Sequence, residues 1–169
     1  MRFGGLVLCL RIASCGGGGG GSGGSGSFKP ATAPADVCSL LTLADVQAVL
    51  PGALPGVVVP TTDYPDVWVR DCQWADSAGF ASVELVIQGA LTSRGDQGLD
   101  VLVTTGPGNG QKTPVSGLGD KAMYWVDMTD QGLVAKHGSY AISVTAYLFN
   151  QAPTEAQLAP LVLKAMGEL

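Results

Sequence analysis

The hydrophobic positions of this chain change their period twice, from helical to alternating and back. Leu43, Val46, Val49 and Leu50 recur at helical spacing. Thr42 stands at the place of an N-cap with Asp45 three residues on, where a carboxylate meets the positive end of the helix dipole. Pro51-Gly52 stops that helix. The period then falls to two. Trp68, Arg70, Cys72 and Trp74 alternate with Val67 and Val69, so this strand carries apolar groups on both faces and both are expected to be covered. Asp76-Ser77-Ala78-Gly79 supplies a turn. Ala81, Val83, Leu85 and Ile87 share one face of the strand that follows, with Glu84 on the other, and the two strands make a hairpin.

Between Ser93 and Thr104 the pattern is ambiguous. Leu99, Leu102 and Val103 fit a helical stripe, while Gly95 and Gly98 weaken it. The stretch from Gly106 to Pro114 is expected to be an exposed, mobile loop, because glycine and proline remove the side chains and donors that would pack it down. Strands follow near Ala122 to Val126, Leu133 to Lys136 and Tyr140 to Phe149, separated by turns at Asp130-Gln131-Gly132 and His137-Gly138-Ser139. A last helix is capped by Thr154, with Gln157 three residues on and Leu158, Leu161, Val162 and Met166 as its apolar stripe. Pro160 kinks it or delays its start. Helix, meander of strands, helix describes a single α+β domain: an antiparallel β-sheet with an N-terminal and a C-terminal helix packed on one of its faces.

The N-terminal part has a different composition. Arg2, the apolar segment Phe3 to Leu10 and the ending Ile12-Ala13-Ser14-Cys15 precede an almost pure Gly/Ser run, Gly16 to Ser27. This arrangement resembles a bacterial lipoprotein signal, whose cysteine receives a diacylglyceryl group before the peptide ahead of it is removed. Arg11 departs from that pattern, since it sets a charge between the apolar segment and the cut site. The resemblance implies residues 1–14 as signal peptide, Cys15 as the lipidated residue at the head of a tether over 15–35, and 36–169 as the globular domain. As a random coil, the run Gly16 to Ser27 spans about 17–21 Å. Lys29 to Pro34, with two prolines, is expected to add a stiffer spacer.

Cysteine usage fits export. Cys9 falls in the segment to be removed and Cys15 is the acylation candidate, which leaves Cys38 and Cys72 as an even pair. In an oxidising compartment these two are expected to form a disulfide. With a lone His137 they make neither a CxxC redox motif nor a zinc ligand set. Charge narrows the partners further. The chain has 9 Lys+Arg against 14 Asp+Glu, and loss of Arg2 and Arg11 with the signal leaves 7 against 14. Such a surface repels nucleic acid.

Candidate chemistry is sparse. The run Gly106 to Thr113 echoes a phosphate loop, but Gln111 stands where glycine must precede Lys112, and Pro114 opposes the helix that should follow. His137 lies in a turn, with no G-x-S-x-G elbow or carboxylate to make a triad with Ser139. Arg94-Gly95-Asp96 is a tripeptide that recurs by chance. Asp63, Asp66, Asp71 and Asp76 lack the register of a calcium loop and read as a solvated acidic surface. Glu84 has no second carboxylate at a fixed sequence offset, so paired acid/base chemistry is not signalled. Trp68, Trp74 and Trp125 are placed either in the core or around a pocket. No cofactor or metal site is read from the sequence.

Cys38-Ser39-Leu40-Leu41-Thr42 before the Asp45-Val46 helix, then Cys72-Gln73-Trp74, then Val115-Ser116-Gly117-Leu118-Gly119-Asp120-Lys121-Ala122 and a closing helix resemble a family of small bacterial envelope lipoproteins known only as a domain of unknown function. The resemblance implies lipoprotein topology on the extracytoplasmic side of the cell membrane, a disulfide between the two motif cysteines, and a fold similar to the PsbP/Mog1-like architecture. It brings no activity and no catalytic residues. The function expected is a non-enzymatic, lipid-anchored binding domain for another envelope protein or a small hydrophobic ligand. The alternative is a hydrolase-like envelope enzyme with a scattered site. Two perturbed carboxylates or His137 in a deep pocket would favour the enzyme; a shallow groove or a sheet face left open by helices would favour the binding domain.

Overall fold

A computed structural model of the protein describes residues 27–107, 110–147 and 153–169. The segment expected as a signal peptide, Cys15 and nearly all of the Gly/Ser run lie outside the described residues. The domain is built on one seven-stranded sheet in the order β1-β2-β3-β7-β6-β5-β4, every neighbouring pair antiparallel. The strands are β1 (Val57–Val59), β2 (Val67–Ala75), β3 (Ser82–Ala90), β4 (Gln111–Val115), β5 (Lys121–Val126), β6 (Gln131–His137) and β7 (Tyr140–Tyr147). The helices are α1 (Leu43–Gln47), α2 (Ser93–Thr105) and α3 (Glu155–Gly167), and a 3₁₀ turn spans Val37–Leu40. No described helix is long and apolar enough to cross a membrane.

Local signals act where they were read. The Thr42 hydroxyl accepts from the Asp45 amide at 3.3 Å, and the Asp45 carboxylate accepts from the Thr42 amide at 2.7 Å, so two otherwise unpaired donors of the first turn are satisfied. Thr154 and Gln157 repeat the device on α3, the Thr154 amide donating to Gln157 Oε1 at 2.9 Å. α3 starts at Glu155 and runs through Pro160, so the proline does not delay it. Lys164 of α3 pairs with Asp45 of α1 at 2.6 Å and joins the terminal helices.

Those two helices and the 3₁₀ turn lie on one face of the sheet. There Val83, Leu85 and Ile87 of β3, Leu133 and Ala135 of β6, and Ile142, Val144 and Ala146 of β7 pack against Val46, Leu158, Leu161 and Val162. The Cys38–Cys72 disulfide ties the 3₁₀ turn to β2 on this face, with Cα atoms 5.2 Å apart, well within the reach of a disulfide. Trp68 and Trp74 are buried in the same cluster.

The ambiguous segment is the third helix, and it takes the opposite face. Leu99 and Val103 of α2 pack there on Ala90, Trp125, Val134 and Ala141. Gly95 weakens the helix as a sequence signal but is required by packing, because a Cβ at that position would stand 2.0 Å from the Asp66 carbonyl oxygen. The tripeptide Arg94-Gly95-Asp96 is therefore the first turn of a packed helix. Arg94 reaches Asp66 at 3.9 Å, and Asp96 receives Lys136 of β6 at 2.8 Å.

Two expectations change, and one strand had no signal of its own. Gln111–Val115, expected as part of a mobile loop, is an exposed edge strand paired with β5. Pro114 is compatible with it because one side of an edge strand needs no ladder donor. β1, unread in the sequence, forms the other edge. Residues from Lys29, expected as a stiffer spacer in the tether, lie against the domain: the Ala31 amide donates to the Ala90 carbonyl at 2.8 Å, Trp68 Nε1 donates to the Ala31 carbonyl at 3.1 Å, and Ser139 Oγ donates to the Lys29 carbonyl at 2.7 Å. The buried Trp68 indole needs an acceptor, and this segment supplies it.

Candidate functional site

α2 crosses its face of the sheet on a diagonal. It begins beside the Asp66 backbone and ends over β5 and β4, where Gly106 meets Met123 and Lys112, and the half of the β3–β7 surface beside it that holds Glu84 and Thr145 lies against a groove. The groove has a volume of about 330 Å³. Its floor is Glu84, Val86 and Gln88 of β3 with Ser143 and Thr145 of β7. Its walls are Leu102 and Pro107 on one side and Asp130 and Tyr147 on another. Trp125 can lie flat along it only because Gly132 is its cross-strand partner: a Cβ at Gly132 would stand 2.0 Å from the indole.

The polar groups of the groove are acceptors more than donors. Glu84 accepts from the Tyr147 hydroxyl at 3.3 Å, and Asp130 accepts from Trp125 Nε1 at 3.4 Å. Asp71, on the same face of β2, lies beside Glu84. It pairs with Val86, two positions along from the Gln73–Glu84 pair. Asp71 is only 8% exposed, and its Oδ1 has no hydrogen-bond partner. Burial raises its carboxyl to about 7, and the neighbouring Glu84 charge adds to the rise. Burial likewise pushes the Tyr147 phenol up to about 12, with the Glu84 and Asp130 charges contributing. Both shifts have one cause: negative charge held in a partly desolvated place with no cation beside it.

Several cations elsewhere are already engaged. Lys136 is held by Asp96 and the Gly138 carbonyl, Lys121 by Asp100, Lys112 by the Gly106 carbonyl, and Arg70 by Asp63 on the far side of the sheet. Gln131 carries a second buried oxygen without a partner. It stands two residues before Leu133 and four before Ala135 and so shares their helix-covered face, away from the groove.

The residues considered in the sequence are thus sorted. Cys38 and Cys72 are joined. Of the tryptophans, Trp68 and Trp74 are core, and Trp125 is buried yet lines the groove. His137 is exposed at the other end of β6 and has no part in the site. Asp71, expected on a solvated acidic surface, is buried. Its partnership with Glu84 was hidden because the two residues meet across strands, and no sequence offset encodes a register. The alternation that set Glu84 opposite Val83 and Leu85, and Asp71 opposite Cys72, was the available signal. Among the described residues no cluster of His, Cys, Asp and Glu is arranged to hold a metal ion.

No protein-family model matches this chain, and no curated protein matches it.

Proposed function

We propose that this chain is a lipid-anchored protein of the bacterial cell envelope, held through Cys15 on the extracytoplasmic side, whose folded domain is a non-enzymatic binding module of the envelope-lipoprotein kind that its motifs resemble. The observation that carries the binding role is the groove beside α2: a shallow, preformed hollow on an open stretch of sheet, with an indole along one wall and polar groups at its floor. The disulfide supports an oxidising location. The sequence around Cys15 and the Gly/Ser run support the anchor.

A second reading, an envelope hydrolase, is favoured by one feature, the adjacent carboxylates Asp71 and Glu84. Such a pair can supply acid and base, but Asp71 lies behind Glu84 and does not line the groove, and His137 is at the far end of its strand. The binding role accounts for more of the groove.

Two experiments test this function. Detergent phase partition of protein from the native host should place the wild type in the detergent phase and Cys15→Ser in the aqueous phase. Equal partition of the two would reject the anchor. Mass spectrometry of small molecules and proteins that co-purify with the wild type, compared with Ser143→Trp, which fills the groove, should show a species lost in the variant. A co-purifying load that is the same in both would reject the groove as the binding site.

A further inference from the structure

We propose that the groove takes an organic cation: an ammonium group held by Glu84 and Asp130, joined to a flat apolar body that lies along Trp125 and over Val86 and Val134. This deepens the binding role proposed above and rests on it.

The inference stands first on shape and composition. Among the described residues the lining contains two carboxylates, Glu84 and Asp130, and no lysine or arginine. Each described ion pair uses a different acid: Asp63, Asp66, Asp100, Asp96 or Asp45. The groove acids are therefore left to a cation that does not come from these pairs. Asp71 is the second, independent observation. It is more than nine-tenths buried, carries an oxygen with no partner, and lies behind Glu84 on the same face, close enough for its charge to act on Tyr147. A buried carboxylate with an unsatisfied oxygen costs stability unless something compensates it. A bound cation at Glu84 would stabilise both charges.

The apolar half of the ligand follows from the wall opposite. Trp125, whose Nε1 reaches Asp130, lines the groove with Val134, Leu102 and Pro107, and an indole face stacks a planar apolar group beside a cation held at that carboxylate. An anion would meet Glu84, Asp130 and Asp71 together. A neutral ligand would leave the acids uncompensated.

Three probes of one shape and different charge make the test: phenethylamine, 2-phenylethanol and phenylacetate, titrated into the folded domain at pH 7.5 and followed by the Trp125 indole N–H resonance and by calorimetry. Phenethylammonium should bind about tenfold or more tighter than the alcohol, with phenylacetate weakest, and added salt should narrow the gap. Glu84→Gln and Asp130→Asn should each bring the amine about tenfold towards the affinity of the alcohol. Asp130 sits in a hairpin turn, so its variant keeps the test intact if Glu84→Gln disturbs folding.

An alcohol that binds as tightly as the amine, or an amine affinity unchanged in folded Asp130→Asn and Glu84→Gln proteins, would overturn the cationic class. If the alcohol binds and Ser143→Trp abolishes it, the groove remains a binding site while the cationic class fails. If none of the three probes binds, the cationic class fails and the binding role is judged by the co-purified species alone.

Discussion

The two faces of the sheet are built from the same strands and differ in what they exclude. Under the 3₁₀ turn, α1 and α3, β3 presents Val83, Leu85 and Ile87, all fully buried, and a disulfide fastens the cover. On the opposite face the same strand presents Glu84, Val86 and Gln88 to a groove that α2 covers only in part. One residue of register separates a dry aliphatic core from a wet acidic hollow. Stability is concentrated on the first face, and the second is free to hold polar groups that a closed core would not tolerate.

The sharpest way to break this contrast is within β3 itself. Leu85→Ala, on the closed face, should destabilise the domain by about 2–5 kcal/mol, through lost burial and an unfilled cavity. Val86→Ala, one residue along and facing the groove, should cost less than about 1.5 kcal/mol. Urea unfolding of the two variants measures the difference, and equal losses would mean that the faces do not differ in packing. On the closed face, the double variant Cys38→Ser, Cys72→Ser should lose about 3–4 kcal/mol, the loop-closure entropy for a separation of 34 residues. Unfolding of the wild type with and without reductant gives the same comparison.

Much of this was legible beforehand. The capping boxes at Thr42 and Thr154, the alternation in β2 and β3 and the even cysteine pair are local or compositional signals, and the structure realises them. What was hidden depends on tertiary contact. α2 was obscured by Gly95, whose missing side chain is needed only because the Asp66 backbone lies against it. β1 and β4 are short and exposed, so they owe their existence to the neighbours they pair with and not to any periodicity of their own. The groove combines both limits: its acids lie on different strands, and its opening is set by the direction in which α2 crosses the sheet.

The open face yields a smaller effect with a distinct pH signature. A carboxyl whose pKa is raised on folding holds its proton more tightly in the folded state. The stability this gives is fully present below the unfolded value of 3.8 and is lost as pH rises through about 7. Asp71→Asn removes the ionisation, so the variant should gain about 1–3 kcal/mol on the wild type at pH 8, with the gain vanishing towards pH 4. Thermal melts across that range check it. A constant difference between the two proteins would mean that Asp71 does not titrate with a raised pKa in the folded state. The smallest effect belongs to Lys112, at the edge of the sheet and outside either core. Lys112→Ala removes one contact to the Gly106 carbonyl and should change stability by only about a few tenths of a kcal/mol, measured by the same urea titration.

The attachment of Ala31 to the sheet also has a mechanical meaning. If the N-terminal segment is an anchored tether as proposed, tension along it would enter the domain at the Trp68 indole and the Ala90 carbonyl, on the inner strands β2 and β3. It bypasses the short edge strand β1 and the single-turn elements that come next in sequence, which are the parts most easily peeled away. The load is taken up at the end of the sheet where β3 finishes and β7 begins, while Asp130 and Tyr147 stand at the other end. Suspended in this way, the domain would present its groove on the side away from its point of support.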